Sequence, residues 1–278
     1  MTRTSDRQIH STQILRQKQF IRNENRKIRL LYLLRVFLFL FFLALWEFTA
    51  SRGILNPFIF SSPSRVCETI GQWHSQNVLA VHIGSTMQET VISFLIVTVL
   101  GIASAIFLWR FPFIYRVLEP YFILFNSLPK SALAPLLIVW LGNQPRTIIL
   151  VAVSLAIFSS ILTLYNAFLQ IDPDKIKLIR SLNGTRIHIV QKVLLPACIP
   201  VFISNMKVNI GLCLVGVIIG EFLAAREGLG YLIIYGSQVF KMDWVVAAIL
   251  ILCVIAIFLY AIITLTEKLY TGYYLKNK

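Results

Sequence analysis

The groups in this chain that could do chemistry stand apart from one another. A zinc hydrolase of the H-E-x-x-H kind needs two imidazoles on one helix face and a glutamate to activate water. No such run occurs, and His10, His74, His82 and His188 all lie outside the long apolar stretches. There is no G-x-S-x-G elbow to expose a serine nucleophile, and no Gly-Lys dipeptide to grip a phosphate. Cys67, Cys198, Cys213 and Cys253 form no C-x-x-C or Cys/His spacing, so they read as small packing residues. No catalytic residue, metal or cofactor is expected. The work to look for is movement of a solute.

One cation stands where charge is costly. Lys130 lies eleven residues from Glu119 within an apolar stretch over about 117–141. On a straight helix that is ~16 Å, near the middle of a ~30 Å hydrocarbon layer. A lysine there costs a few kcal/mol unless it pairs or faces water. Pro129 and Pro135 remove backbone hydrogen bonds on either side of it, and freed carbonyls are tolerated only beside protein or a cavity. Lys130, Pro129 and Pro135 are therefore candidate pathway residues, where the ammonium would attract an anionic or carbonyl-bearing solute. The other reading keeps Lys130 in a water-filled gap, bonding only the freed carbonyls. Lys207 is shallower, and its long stem is expected to carry its charge to the cytoplasmic interface. The acids near the apolar stretches, Glu47, Glu119, Glu221 and Glu267, all fall at their ends.

The elements that hold these groups follow from composition. Of 278 residues 57% are hydrophobic and 14% charged, with 20 Phe and 10 Tyr. A soluble domain carries ~25% charged residues, so a soluble enzyme and a disordered chain are both excluded. Six stretches reach the ~20 apolar residues needed to cross a bilayer: about 30–50, 91–109, 117–141, 147–169, 196–220 and 244–266. The third is irregular, and Gly142 to Arg146 joins it to the fourth as a helical hairpin. Of the 26 Lys and Arg residues, 18 fall on the side of the termini, five on the other side and three within the stretches. Basic residues mark the cytoplasmic side, so both termini are inside. The net charge of +14 is then mostly a topology signal, and no nucleic-acid partner is implied. Arg3 to Arg29 form a basic tail, either lying on anionic headgroups or free in solution. Outside, Ser62 and Pro63 start a short helix on which Val66, Ile70 and Trp73 share a face. That pattern reads as an interfacial helix, Trp73 its anchor and His74 solvated.

The longest internal loop carries the clearest local code. Asp172-Pro173-Asp174 supplies a carboxylate cap, a proline in the first turn and an acid at the positive end of the helix dipole. Ile176, Ile179 and Leu182 follow on one face, with Arg180 beside them. Asn183-Gly184 then gives a left-handed stop, and Thr185 can cap a second helix. An apolar stripe on a capped cytoplasmic helix pair reads as a docking element for a soluble partner.

From Lys177 to Pro196 the loop, KLIRSLNGTRIHIVQKVLLP, resembles the signature loop of bacterial ABC-importer permeases, with Leu195-Pro196 in register. The resemblance continues through Ser127-Leu128-Pro129-Lys130, Pro135 to Gly142, Gly220-Glu221-Phe222-Leu223 and Gly228-Leu229-Gly230. These segments are similar to the nitrate/sulfonate/taurine branch, which includes permeases for pyrimidine-type vitamin precursors. Lys177 stands where the signature has glutamate, Leu178 and Ile179 where it has alanines, and Asn183 where it has glycine.

The resemblance implies an all-α, multi-pass membrane protein of the bacterial cytoplasmic membrane, with six transmembrane helices in the type I ABC-importer permease fold. Its parts would be a tail over 1–29, a first helix over 30–50, an extracytoplasmic segment over 51–82, a core over 83–266 and a tail over 267–278. The coupling loop, 170–196, would present Asp172, Pro173, Ile176, Ile179, Arg180, Leu182, Asn183 and Gly184 to a cytoplasmic ABC ATPase. A solute-binding protein would dock outside, and two permease copies would form a homodimer in the lipid bilayer. The chain itself would hydrolyse no ATP. A secondary carrier, which would use intramembrane carboxylates for ion coupling, and a non-transporting scaffold are the rival readings.

Overall fold

In the computed structural model the backbone is described over 2–54 and 56–276, and side chains chiefly over 29–54, 58–129 and 131–270. The side chains of the basic tail before Arg29 lie outside the described residues, except Glu24 and Lys27. The described residues are helical, with no strand among them. The chain divides into two compact units, Met1–Arg65 and Val66–Lys278.

The first unit holds α1 (Thr2–Ser51) and α2 (Pro57–Phe60). Its span, Arg29–Ser51, has a mean hydropathy of 2.1. Glu47, near the end of that span, accepts from both the backbone N–H (3.0 Å) and the hydroxyl (2.9 Å) of Ser64. A carboxylate on the first turn of α3 (Pro63–Ser75) satisfies an orphan donor and complements the dipole. Ser62 Oγ accepts from Arg65 N–H, as the Ser-Pro start requires.

The second unit is a bundle around α7 (Pro145–Leu169), whose Val151, Ala152 and Ala156 are wholly buried. Helices α4 (Val78–Arg110) and α10 (Leu195–Ala224) pack along it, and α12 (Met242–Lys276) closes the bundle against α10 and α11 (Leu229–Gln238). Small residues set the approach of α10 to α7. A Cβ on Gly216 would lie 2.5 Å from Ala152 Cα, and one on Gly220 would lie 2.8 Å from Ile148 Cγ2. The small-x-x-x-small pair is thus spent inside one subunit.

The third apolar stretch does not run straight. It is α5 (Pro112–Ser127) and α6 (Lys130–Leu141), with a 99° bend between the segments Pro112–Ser127 and Ser131–Leu141. The residue before a proline is pushed out of the helical region, and Leu128 is extended at φ −62°, ψ 141°. Among the described residues five helices are long and apolar enough to cross a membrane, and counting the bent pair as one span gives six. The second and fifth helices exceed their apolar stretches, α4 starting at Val78 and the fifth span running over Arg186–Ala224.

Helix α3 departs from expectation. Val66 and Trp73 are each 2% exposed, and Trp73 meets the Trp244 ring edge-on at 5.6 Å. Trp73 is a buried packing residue and not an interfacial anchor. His74, the next residue, is exposed as expected.

Candidate functional site

The coupling loop folds as its residues dictate. Asp172 Oδ1 accepts from Asp174 N–H at 2.9 Å and starts α8 (Pro173–Ser181). Asn183 takes φ 54°, the left-handed value an asparagine tolerates. Gly184 N–H then bonds Ile179 C=O at 2.8 Å, and a Cβ at 184 would lie 2.6 Å from that same oxygen. Only glycine fits this approach. Thr185 caps α9 (Arg186–Ile189) by accepting from His188 N–H, while His188 Nδ1 accepts from Thr185 N–H at 3.1 Å. A π turn (Val190–Leu194) joins α9 to α10.

The apolar stripe is split by the tertiary structure. Ile176 and Ile179 are half-buried against a cluster of the bundle itself, formed by Tyr115, Leu164, Phe168, Ile189 and Leu194. Leu182, expected on the same face, is 71% exposed, with Leu178 at 60% and Ile187 at 66%. The inner face therefore seats α8 on the bundle, and the outward apolar surface consists of Leu178, Leu182 and Ile187. Asp172, Pro173 and Arg180 are exposed too.

The pathway candidates come out differently. Pro129 sits at the bend and Pro135 inside α6, so both interrupt the span. The straight-helix depth assigned to Lys130 fails because the chain turns immediately before it; its side chain lies outside the described residues. Lys207 carries its charge toward the end of the sixth apolar stretch, as expected. Its ammonium pairs with Glu267 of α12 and lies 5.6 Å from the Tyr260 ring centroid. A partner 60 residues away, which the sequence did not reveal, neutralises the charge where the long stem delivers it.

Two further polar sites were missed. Deep in the bundle, Ser160 Oγ accepts from Asn205 Nδ2 at 2.8 Å and Asn209 Nδ2 at 3.0 Å, and it fills the notch left by Gly101 on α4. Asn205 and Asn209 are one turn apart, which is the only local trace of this node.

At the end of α10 away from α8, Glu221 is 1% exposed. Its carboxyl accepts from Thr86 Oγ1 (2.7 Å) and Gly230 N–H (2.6 Å), and Thr86 in turn accepts from Leu229 N–H (2.9 Å). A Cβ on Gly228 would fall 2.4 Å from that carboxyl, which is why a glycine at φ 110° stands there. Gly228 N–H bonds His82 Nδ1 at 2.9 Å. Helices α4, α10 and α11 are thus tied by one acid. Its sequence signal was the Gly-Leu-Gly seven residues downstream, room for a carboxylate. Glu89 of α4 is buried as well, against Glu221. It precedes the apolar stretch of α4 by two residues, in the thirteen-residue extension of the helix before that stretch. Beside Glu89 a cavity of about 290 Å³ opens between the hairpin turn (Asn143, Gln144) and Arg226 and Glu227.

No group of three or more His, Cys, Asp or Glu suited to a metal occurs among the described residues. What the site offers is a capped, outward-facing helix at one end, acid-tied helices at the other, and a broken span between.

Residues 97–271, most of this bundle, match the family model of the binding-protein-dependent transport system inner membrane component. The chain belongs to that family. It is the permease subunit of an ABC importer, in the bacterial inner membrane. Over 218 residues it is 30% identical to a probable ABC transporter permease protein of Haemophilus influenzae, covering 78% of this chain and 88% of the relative. Over 232 residues it is 26% identical to the formylaminopyrimidine transport permease protein ThiX of Halalkalibacterium halodurans, covering 83% and 92%. A chain of the MetNI methionine ABC transporter, solved in inward-facing conformations, matches with a TM-score of 0.58 over 68% of the permease and 94% of that chain, at 19% identity. That likeness establishes the type I importer permease fold. Family membership sets aside the carrier and scaffold readings, so the buried carboxyls of the permease need no ion-coupling role.

Proposed function

We propose that the permease, paired with a second copy, forms the pathway of an importer for a small anionic or heterocyclic solute. A cytoplasmic ABC ATPase docks on the α8–α9 pair, and a solute-binding protein delivers the solute at the opposite end. The observation that carries this reading is the outward apolar surface of Leu178, Leu182 and Ile187 on a doubly capped helix pair seated on the bundle. Closure of the ATPases would push that pair as a rigid body and switch the spans between two states. The orientation rests on the 18-to-5 split of basic residues, which puts the helix pair in the cytoplasm.

Leu178→Asp and Leu182→Asp should each abolish ATPase co-purification and uptake, with the permease inserted at its normal level. An unpaired carboxylate in an apolar contact is costly, while on an exposed residue it leaves the fold alone. Ile179→Asp is a poorer probe, because that side chain belongs to the bundle. Full co-purification of the ATPase with both leucine variants would rule the surface out.

The solute class rests on Lys130 beside a broken span, and the formylaminopyrimidine permease is a relative consistent with a heterocycle. Lys130→Met should lower uptake at all solute concentrations while membrane levels stay unchanged. Uptake equal to wild type would remove Lys130 from the pathway.

A further inference from the structure

At the end of the bundle that carries α8, two arginines flank an apolar groove. Arg110 is the last residue of α4 and Arg186 the first of α9. Ile106, Ile187, Val190 and Leu195 line the space with them, a cavity of about 400 Å³. Among the described residues neither arginine has an ion pair, and Arg110 rests on the Phe111 ring, 4.9 Å from its centroid. Both are exposed. The π turn begins at Val190 on the groove wall, and such turns recur where helices serve a function.

The groove does not end at the arginines. From Arg110 back along α4, Ile106, Ala103 and Val99 recur at steps of three and four and share one face. Ala103 is exposed and Val99 is 63% exposed. The eleven residues from Arg110 to Val99 rise ~16 Å, about one leaflet of a ~30 Å hydrocarbon core. A paired cationic rim opening onto a leaflet-deep apolar file fits an anionic amphiphile better than a protein carboxylate, which would need no such file. Arginine adds a planar fork matched to phosphate oxygens.

We propose that this groove seats an anionic phospholipid of the cytoplasmic leaflet, its phosphate between Arg110 and Arg186 and one acyl chain along α4 toward Val99. The bound lipid fastens α9 and the π turn to α4, and so holds the coupling pair on the bundle. The site shares with the proposed function only its orientation, since lipid binding does not depend on what the ATPase or the solute is.

The test is native mass spectrometry of the complete transporter in mixed phosphatidylglycerol and phosphatidylcholine. Wild type is expected to retain phosphatidylglycerol with a preference on the order of thirtyfold, the combined attraction of two cations at the membrane surface. Arg110→Gln with Arg186→Gln should abolish the preference, whereas Lys192→Gln, an exposed cation outside the groove, should leave it intact. Inorganic phosphate at millimolar concentration should not displace the lipid; displacement would mean a free-phosphate site and overturn the proposal. Equal retention of the two lipids by wild type would overturn it, as would a preference that survives the double substitution. Loss of the ATPase from the double variant with the lipid preference intact would assign the arginines to the ATPase instead.

Discussion

Glu221→Ala is expected to lower the stability of the permease by roughly 2–6 kcal/mol, because two buried donors each lose an acceptor at about 1–3 kcal/mol. Those donors are Thr86 Oγ1 and Gly230 N–H, both within 2.7 Å of the carboxyl. The truncation also leaves an empty volume that Gly228 and Gly230, lacking side chains, cannot fill. The measurement is the melting temperature in detergent together with protease cleavage over 225–241, the chain that Glu221 anchors. A fall in melting temperature with faster cleavage is expected. Glu221→Gln, which keeps an acceptor oxygen, should lose less. Unchanged melting in the alanine variant would mean that the tie between α4, α10 and α11 contributes nothing.

Gly216→Leu is expected to disrupt the bundle as severely. The first added atom would sit 2.5 Å from Ala152 Cα, and a backbone atom in a buried helix cannot turn aside as a side chain can. Overpacking of this kind costs about 1–3 kcal/mol or more, and here it must push α10 off α7 along their whole contact. Gly211→Leu is the matched control, on the same helix but with nothing within 4 Å of its Cβ. The Gly216 variant should accumulate poorly and melt early, and the Gly211 variant should behave as wild type. Equal behaviour of the two would disprove the close approach of α10 to α7.

What could be read from the residues alone was whatever depends on near neighbours in the chain. A span announces itself because lipid demands ~20 apolar residues in a row, and the start of α8 because Asp172 caps a backbone amide two residues away. The stop at Asn183-Gly184 and the cap at Thr185 are equally local, and so is the pre-proline break at Leu128. The basic asymmetry is a sum over the chain and needs no fold.

Tertiary structure decided everything that required a distant partner. Lys207 found Glu267, Glu221 found Thr86, and Ser160 found two asparagines, across 45 to 135 residues of sequence. The stripe on α8 shows the division within a single helix. Its period was legible, but whether Ile179 met the bundle and Leu182 met solvent depended on how the bundle lay beneath it. Trp73 was misread for the same reason. An apolar face at helical spacing specifies that something will cover it, and only the packed structure specifies whether that cover is lipid, a partner or Trp244.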